Sequence, residues 1–413
     1  MYHEVPPTFD IDRELYLQKI IFNLTKENID EVVSEFSQPN YLSDLLDTHV
    51  FAILMYANET RPRSIESHAV FTKKYLAMKH PNESSEDMLL KVGVLSIKYF
   101  KPHHAAYIFY CTKMGIVSYE CLIMKLKKFS IKRPENNYAI FTAFCWFAPE
   151  IEKYDIELYQ SIFNHFQKKC LMPNSAIVFK LFYKKFDEYK ENCWQKHQEA
   201  TEFFNSDKFG STQFLDDDFQ STSKYIDEQG VDAKIPPSIF FRSPFLSKFP
   251  TVVQIAAYYA LPNVFFNLIE KGAKIDSSSF SNQTLMQFAI AGGSKEIIHY
   301  LLNCDCDHRG MLHFAAMTYQ NDIFKWLCES NHSDINEEYG NFGLPIHQAA
   351  KANNIEILKY CIDHGSDINA RNSEKRTPLH VCCTYGSLDS IMLLVSYPNI
   401  EINAKDVIRI HFY

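Results

Sequence analysis

One short pattern returns five times in the second part of the sequence. Thr377-Pro378-Leu379-His380-Val381-Cys382-Cys383 stands 33 residues after Leu344-Pro345-Ile346-His347-Gln348-Ala349-Ala350, itself 34 residues after Gly310-Met311-Leu312-His313-Phe314-Ala315-Ala316. Steps of 26 and 33 residues lead further back to Thr284-Leu285-Met286-Gln287-Phe288-Ala289-Ile290 and Thr251-Val252-Val253-Gln254-Ile255-Ala256-Ala257. Behind each copy lies a second apolar segment: Phe265–Ile269, Ile297–Leu302, Ile323–Cys328, Ile357–Ile362 and Ile391–Val395. A unit this short cannot bury its apolar face alone, so the copies must stack on one another. The stretch is thereby committed to a solenoid.

The pattern resembles the ankyrin repeat, a helix pair with a period of about 33 residues and the hallmark T-P-L-H-x-A. Thr at the first position can cap the first helix through its hydroxyl, and Pro next to it sits where a missing N–H costs nothing. The resemblance implies that His313, His347 and His380 link neighbouring repeats by hydrogen bonds and are structural, with Gln254 and Gln287 donating similarly. Paired Ala residues let helices approach closely, and Cys382 and Cys383 are small enough to replace them. Gly293 and Gly386 fall where a helix ends in the left-handed conformation. Asn353 can take that place, whereas Ala260 and Tyr319 predict a distorted turn. The 26-residue step predicts a shortened loop between Leu302 and Gly310, with both helices kept.

The flanks follow the same logic. Tyr225–Asp232 resembles the close of a degenerate earlier repeat. After Asp406 the chain runs as Val407-Ile408-Arg409-Ile410-His411-Phe412-Tyr413, which reads as a truncated repeat in preference to a cap folded over the last one. The expected organisation is a helical region over 1–204, a connecting segment over 205–249, about five repeats over 250–406, and a tail over 407–413. The predicted fold class is all-α: an α-solenoid or irregular bundle followed by an ankyrin-repeat solenoid.

Only four of the 12 glycines precede Pro250, which leaves little material there for glycine-rich phosphate cradles. Helical periodicity runs through this region, with expected helices after Asp12 and Asn28 and over 43–58, 64–80, 86–100, 103–114, 118–129, 135–148, 150–170, 174–186 and 187–204. Pro62, Pro81, Pro102, Pro134, Pro149 and Pro173 are placed in the gaps as helix breakers. Arg61–Glu66 and Pro244–Pro250 resemble large protist families that join an uncharacterised helical region to a C-terminal ankyrin array. That region carries no assigned activity to transfer.

Composition narrows the function classes. Hydrophobic residues make up 46% and charged residues 22% of 413, the balance of a globular protein rather than a disordered one. A net charge of −8 offers no global attraction for nucleic acid or anionic membranes. The basic stretch Lys125, Lys127, Lys128, Lys132 and Arg133 reads as a solvated helix end. The start of the chain has no basic segment followed by an apolar one, no apolar run reaches about 18 residues, and the 11 cysteines are dispersed. The expectation is an intracellular protein, cytoplasmic rather than nuclear, with reduced thiols and no membrane or nucleic-acid partner.

Chemistry is sparse. No H-E-x-x-H, phosphate loop ending in Gly-Lys-Ser/Thr or G-x-S-x-G elbow is present. Gly292-Gly293-Ser294-Lys295 falls at a turn between repeat helices. Cys304-Asp305-Cys306-Asp307-His308 carries zinc-type ligands at a spacing too tight for the usual paired site, and a shortened repeat loop accounts for it. Cys193 and His197, one helical turn apart, are a thin basis for a thiol nucleophile. The expectation is no enzyme, no cofactor, no metal and no catalytic residue.

What remains is binding. The resemblance places first helices and projecting loops on a concave front, where a protein partner would sit. By motif position the partner-binding residues are Tyr258, Tyr259, Met317, Lys351 and Tyr385 on first helices and Phe280, His308, Arg309, Tyr339, Phe342 and Lys375 on loops. Thr318, Ala352, Thr384, Asp305, Asn341, Asn372 and Glu374 share those positions. Aromatic and Arg side chains dominate binding hot spots. The reading is a protein-interaction scaffold of unknown partner and oligomeric state. The alternative is an adaptor whose N-terminal helices dock a common component, and an enzyme in the N-terminal half ranks behind both.

Overall fold

A computed structural model describes residues 10–38, 42, 45–61, 64–132, 137–205, 230–241, 243–247, 249–275 and 283–407. The described residues are helical, with no β-strand among them. Helix α1 (Ile11–Phe22) comes first. The contacts separate two compact units, one of residues 18–216 and 234–250, the other of residues 1–17, 217–233 and 251–413.

The first unit holds α2 (Ile29–Ser37), α3 (Asp47–Thr60), α4 (Ile65–Lys79), α5 (Ser85–Lys91), α6 (Pro102–Lys113), α7 (Tyr119–Lys132), α8 (Asn137–Tyr154), α9 (Ile156–Cys170), α10 (Ile177–Lys184), α11 (Phe186–Glu191) and α12 (Gln195–Asn205). Helices α2, α4 and α6 pack in succession, as do α7, α8 and α9. Its centre is aromatic. Phe163 stacks on Phe186 with ring centroids 4.5 Å apart, and Phe141, Phe144 and Phe179 surround Phe166. Ile239, Phe240 and Phe241 are buried in the same unit, within what the sequence reads as a connecting segment. Phe240 meets Trp146 at 5.4 Å and His197 at 5.6 Å, and Trp146 Nε1 donates to the Ile239 carbonyl at 3.2 Å.

Three local expectations in this unit are corrected. The helix expected over 86–100 ends at Lys91, because Gly93 turns the chain at φ +79° before a short 3-10 turn at Ile97–Tyr99. Pro149 lies inside α8 rather than in a gap. Phe147 leaves helical geometry (φ −125°, ψ 20°), so the proline starts a fresh turn where its absent N–H is harmless, and the true break comes at Asp155, whose carboxylate caps α9. The helix expected over 187–204 is two, parted where Cys193 and Trp194 take positive φ.

The second unit is a stack of helix pairs: α13 (Val252–Tyr258) with α14 (Pro262–Glu270), α15 (Leu285–Gly292) with α16 (Lys295–Leu302), α17 (Met311–Met317) with α18 (Asn321–Glu329), α19 (Pro345–Lys351) with α20 (Ile355–Asp363), and α21 (Pro378–Tyr385) with α22 (Leu388–Val395). First helices α13, α15, α17, α19 and α21 pack one on the next, and the second helices follow in parallel. The repeated Thr does what its position demands. In α13, α15 and α21 its hydroxyl accepts the N–H three residues on, while the Gln or His there accepts the Thr N–H, closing a capping box.

The stack is stitched at a position the sequence reading passed over. Gln320, Asn354 and Ser387, each just before a second helix, donate to the Ala291, Ala316 and Lys351 carbonyls of the preceding first helices at 2.9, 3.0 and 3.0 Å. These carbonyls are orphaned helix ends, and a side chain of the next repeat satisfies them.

The turn after the first helix is left-handed in every repeat. Gly293 and Gly386 adopt it freely, and Ala260 (φ 52°), Tyr319 (φ 56°) and Asn353 (φ 51°) adopt it as well. The distortion expected at Ala260 and Tyr319 is therefore absent; the stacked neighbours hold the geometry against a local cost of about 1–2 kcal/mol per residue. Tyr319 is held further by its hydroxyl, which donates to the Ala352 carbonyl at 2.8 Å. Replacing Ala260 by glycine should raise array stability by roughly 0.5–1 kcal/mol, the strain relieved less the entropy a glycine adds to the unfolded chain. Tyr319→Gly should lower it. Urea denaturation of both variants checks the contrast.

Candidate functional site

Two projecting loops are built alike. Between Tyr339 and Gly343 the chain closes through Tyr339 N–H to the Gly343 carbonyl at 3.0 Å; between Asn372 and Arg376 the corresponding bond is also 3.0 Å. Asn372 fixes the second loop, its side-chain oxygen accepting from the N–H groups of Glu374 and Arg376. These loops and the first helices α19 and α21 enclose a cleft of about 280 Å³, lined by Asn341, Phe342, His347, Gln348, Lys351, Asn372, Glu374, Arg376, Val381 and Tyr385.

Its polarity is uneven. Arg376 is balanced, meeting Glu374 at 3.0 Å and the buried Asp406 at 3.5 Å. Lys351 is not: among the described residues no carboxylate lies within ion-pair distance of it, and its ammonium sits 4.7 Å from the ring centroid of Tyr385. That ring is 59% exposed, so the pair forms an open wall. Gln348 donates to the Phe342 carbonyl at 2.7 Å, while its Oε1, on a side chain of a residue only 5% exposed, has no hydrogen-bond partner. An unsatisfied buried acceptor costs about 1–3 kcal/mol.

His347 lines the cleft but both ring nitrogens are committed. Nδ1 accepts the Leu344 N–H at 3.2 Å, and Nε2 donates to the carbonyls of Ala370 at 3.0 Å and Arg376 at 3.1 Å. Burial holds it neutral by pushing its pKa down. His313 is held likewise, donating to the Gly343 carbonyl at 2.7 Å with its pKa lowered by burial to about 4. His347 thus ties its own helix start to the loop of the following repeat; His313 reaches that loop through Nε2 alone, and His380 Nδ1 closes its own capping box. The cleft is lined by the cations Lys351 and Arg376, the anion Glu374 and the rings of Phe342 and Tyr385.

Of the sequence-predicted residues the cleft gathers Phe342, Lys351 and Tyr385, with Asn341, Asn372 and Glu374 from the same positions. The others lie apart from it. Tyr258 is buried and packs edge-on against Tyr259 at 5.2 Å. Tyr339 turns inward, its hydroxyl accepting from Gln287 at 3.0 Å and its ring stacked on Phe342 at 5.6 Å. Met317 is half-buried and Lys375 is exposed at its loop tip. Arg309 is exposed and gives a bidentate pair to Asp307 at 3.0 and 2.9 Å, and His308 bonds the Leu301 carbonyl at 3.0 Å. Phe280 lies outside the described residues. Sequence reasoning missed Gln348, Arg376 and Val381. The spacing i, i+3 of Gln348 and Lys351, and i, i+4 of Val381 and Tyr385, could have found two of them, each sharing a helix face with a predicted residue.

The other chemical candidates resolve into structure. Cys304 and Cys306 turn their thiols to the Tyr300 and Leu301 carbonyls at 3.3 and 3.5 Å. Gly292 belongs to α15, and Ser294 caps α16. Cys193 is exposed, whereas His197 is buried among Phe182, Tyr189, Trp194 and Phe240 and donates to the Cys145 carbonyl at 2.7 Å. They do not form a pair.

Comparison with known proteins decides what the stack is. The family of ankyrin repeats, in its three-copy form, matches residues 253–339 and again 312–406. The C-terminal array is built of ankyrin repeats. The chain is 33% identical over 119 residues to alpha-latrocrustotoxin-Lt1a of Latrodectus tredecimguttatus, covering 27% of this chain and 8% of the toxin. It is 27% identical over 140 residues to ankyrin repeat protein L371 of Acanthamoeba polyphaga mimivirus, covering 31% of this chain and 18% of that protein. With mouse Rabankyrin-5 the identity is 37% over 62 residues, 15% of this chain and 5% of that one. The chain thus spans less than a fifth of the length of these relatives. Similarity to a toxin, a viral protein and Rabankyrin-5 does not choose a ligand, because a shared scaffold does not fix function. Among the described residues no helix is long and apolar enough to cross a membrane.

Proposed function

We infer that this chain is a non-enzymatic protein-interaction scaffold, holding a protein partner on the first-helix and loop side of its ankyrin array, with the cleft between α19 and α21 as the anchor. The observation that carries this is Lys351, without a carboxylate at ion-pair distance among the described residues, beside the exposed Tyr385 side chain in the cleft. An exposed aromatic and an open cation are what partner anchors are made of.

A photo-crosslinking residue at Tyr385, compared with one at Lys359 on the second helix α20, tests the reading in cells expressing the full chain. The expected result is one discrete protein adduct from position 385 and none from 359. Adducts from 359 alone, or equal adducts from both, would place the binding surface elsewhere.

A further inference from the structure

The first unit carries a surface of a different kind. We propose that the corner between α9 and α10 docks on an anionic phospholipid bilayer, with Leu171, Met172 and Ile177 entering the lipid interface and the lysines around them meeting the headgroups. This goes beyond the protein-binding reading of the array, and neither stands or falls with the other.

Aliphatic side chains stand out here although a well-packed core lies directly behind them. Leu171 is 73% exposed, Met172 50% and Ile177 46%. Helices α8, α9 and α10 pack on one another, and Phe141, Phe166 and Phe179 interlock between them. Gln167 donates to the Tyr183 hydroxyl and Lys180 to the Pro173 carbonyl, both at 2.7 Å. The turn itself closes through Met172 N–H to the Lys169 carbonyl and Ser175 N–H to the Met172 carbonyl. A tied frame therefore presents the apolar groups outward. Tyr138, at the start of α8 with its ring 5.3 Å from that of Phe179, is exposed as well, an amphipathic ring of the kind enriched at membrane surfaces.

Charge is distributed to match. The chain carries −8 overall, yet from Leu158 to Phe186 it has five lysines and no aspartate or glutamate. Lys185 acts on Glu188, which leaves Lys168, Lys169, Lys180 and Lys184 with no carboxylate at ion-pair distance among the described residues. Elsewhere in the same unit Lys127, Lys190 and Lys196 are paired, with Asp155, Glu152 and Glu188. On α10, Ile177, Lys180 and Lys184 share one face at i, i+3 and i+7, while Phe179 and Phe182 are buried on another. Any polyanion would answer the lysines, but the aliphatic groups choose among polyanions. Protein interfaces are depleted in Lys and built on aromatic and Arg anchors, and no arginine occurs between Arg133 and Arg242. A nucleic acid would engage the lysines and leave Leu171 and Met172 in water. A bilayer meets both demands, acyl chains taking the aliphatic groups and anionic headgroups the ammonium groups, which long lysine stems carry outward.

The test is co-sedimentation of the full chain with phosphatidylcholine vesicles, with and without about one-third phosphatidylserine. Wild type should bind the phosphatidylserine vesicles about 10-fold or more tightly than phosphatidylcholine alone, and high salt should erase the difference. Lys168→Glu/Lys169→Glu/Lys184→Glu should lose that preference, whereas the charge-matched Lys271→Glu/Lys295→Glu/Lys375→Glu on the array should keep it. Leu171→Ser/Met172→Ser should weaken binding about 10-fold with every charge retained. In Leu171→Trp, vesicles brominated on their acyl chains should quench fluorescence beyond the change seen in wild type, placing the corner among lipid tails. Each variant is accepted only with a far-UV spectrum and melting midpoint like wild type. Equal vesicle binding by wild type and the α9–α10 lysine variant, or an unquenched Leu171→Trp, would overturn the proposal. Capture of wild type by RNA or an acidic peptide, at concentrations where vesicles are not bound, would overturn it too.

Discussion

Gly292→Ala should lower the stability of the ankyrin array by about 3 kcal/mol or more, the upper end of what overpacking costs. A methyl group built at Gly292 would lie 2.2 Å from the Ala257 carbonyl oxygen and 2.7 Å from that of Tyr258. Both atoms are backbone, at the end of α13, and no side-chain rotation can clear them. First helices α13 and α15 would have to part, and with them the stacking that each repeat needs from its neighbour. Urea denaturation followed by far-UV circular dichroism measures the loss. Ser294→Ala, two residues away, removes only a helix cap and should cost about 1 kcal/mol. Equal midpoints for the two variants would mean the helices are not in this close approach.

A second large effect is acid lability. In the first unit His68 sits beside Asn58 at 2.7 Å with no exposure, and burial lowers its pKa to about 3. His103, 3.9 Å from Glu59, and His197 are both lowered by burial to about 4. The ordinary histidine value is near 6.5, so the unfolded chain takes up these protons first as pH falls. Stability is fully present above pH 6.5 and is lost as pH drops from there toward 4. With up to three protons bound on unfolding, the slope in the middle of that window approaches about 4 kcal/mol per pH unit. Denaturation midpoints at pH 7, 6 and 5 should fall steeply, and His197→Gln, which keeps a donor for the Cys145 carbonyl, should remove about one proton from the slope. A flat profile between pH 7 and 5 would contradict the neutral burial of these rings.

How far the sequence reached depends on which force sets each feature. The repeats were legible because stacking imposes one register on Thr, His and Ala alike, so local signals add up along the chain. The helices of the first unit were legible in kind but not in their breaks. Pro149 misled because proline is welcome at the start of a turn, and only the departure of Phe147 from helical geometry makes one there. The turns at Ala260 and Tyr319 misled in the opposite sense, since local propensity argued for distortion and tertiary packing overruled it. The interrepeat bonds from Gln320, Asn354 and Ser387 escaped notice because three different residue types perform one act.

The cleft was half legible. Lys351 and Tyr385 follow from motif position, and Phe342 from its loop. Gln348 and Arg376 do not. Arg376 matters through its pairing with Glu374 and with Asp406, which lies 30 residues further along the chain. Gln348 lines the cleft while its Oε1 is buried without a partner, and no pattern in a sequence marks an unsatisfied acceptor.

The central claim is that the array's concave cleft holds the partner. Hydrogen exchange on the full chain with and without its photo-crosslinked partner, purified as the intact complex, tests this most directly. The account predicts protection gained over α19, α21 and the loops at 339–343 and 372–376, with the second helices α20 and α22 unchanged. Protection confined to α20 and α22, or to the helices of the first unit, would contradict it.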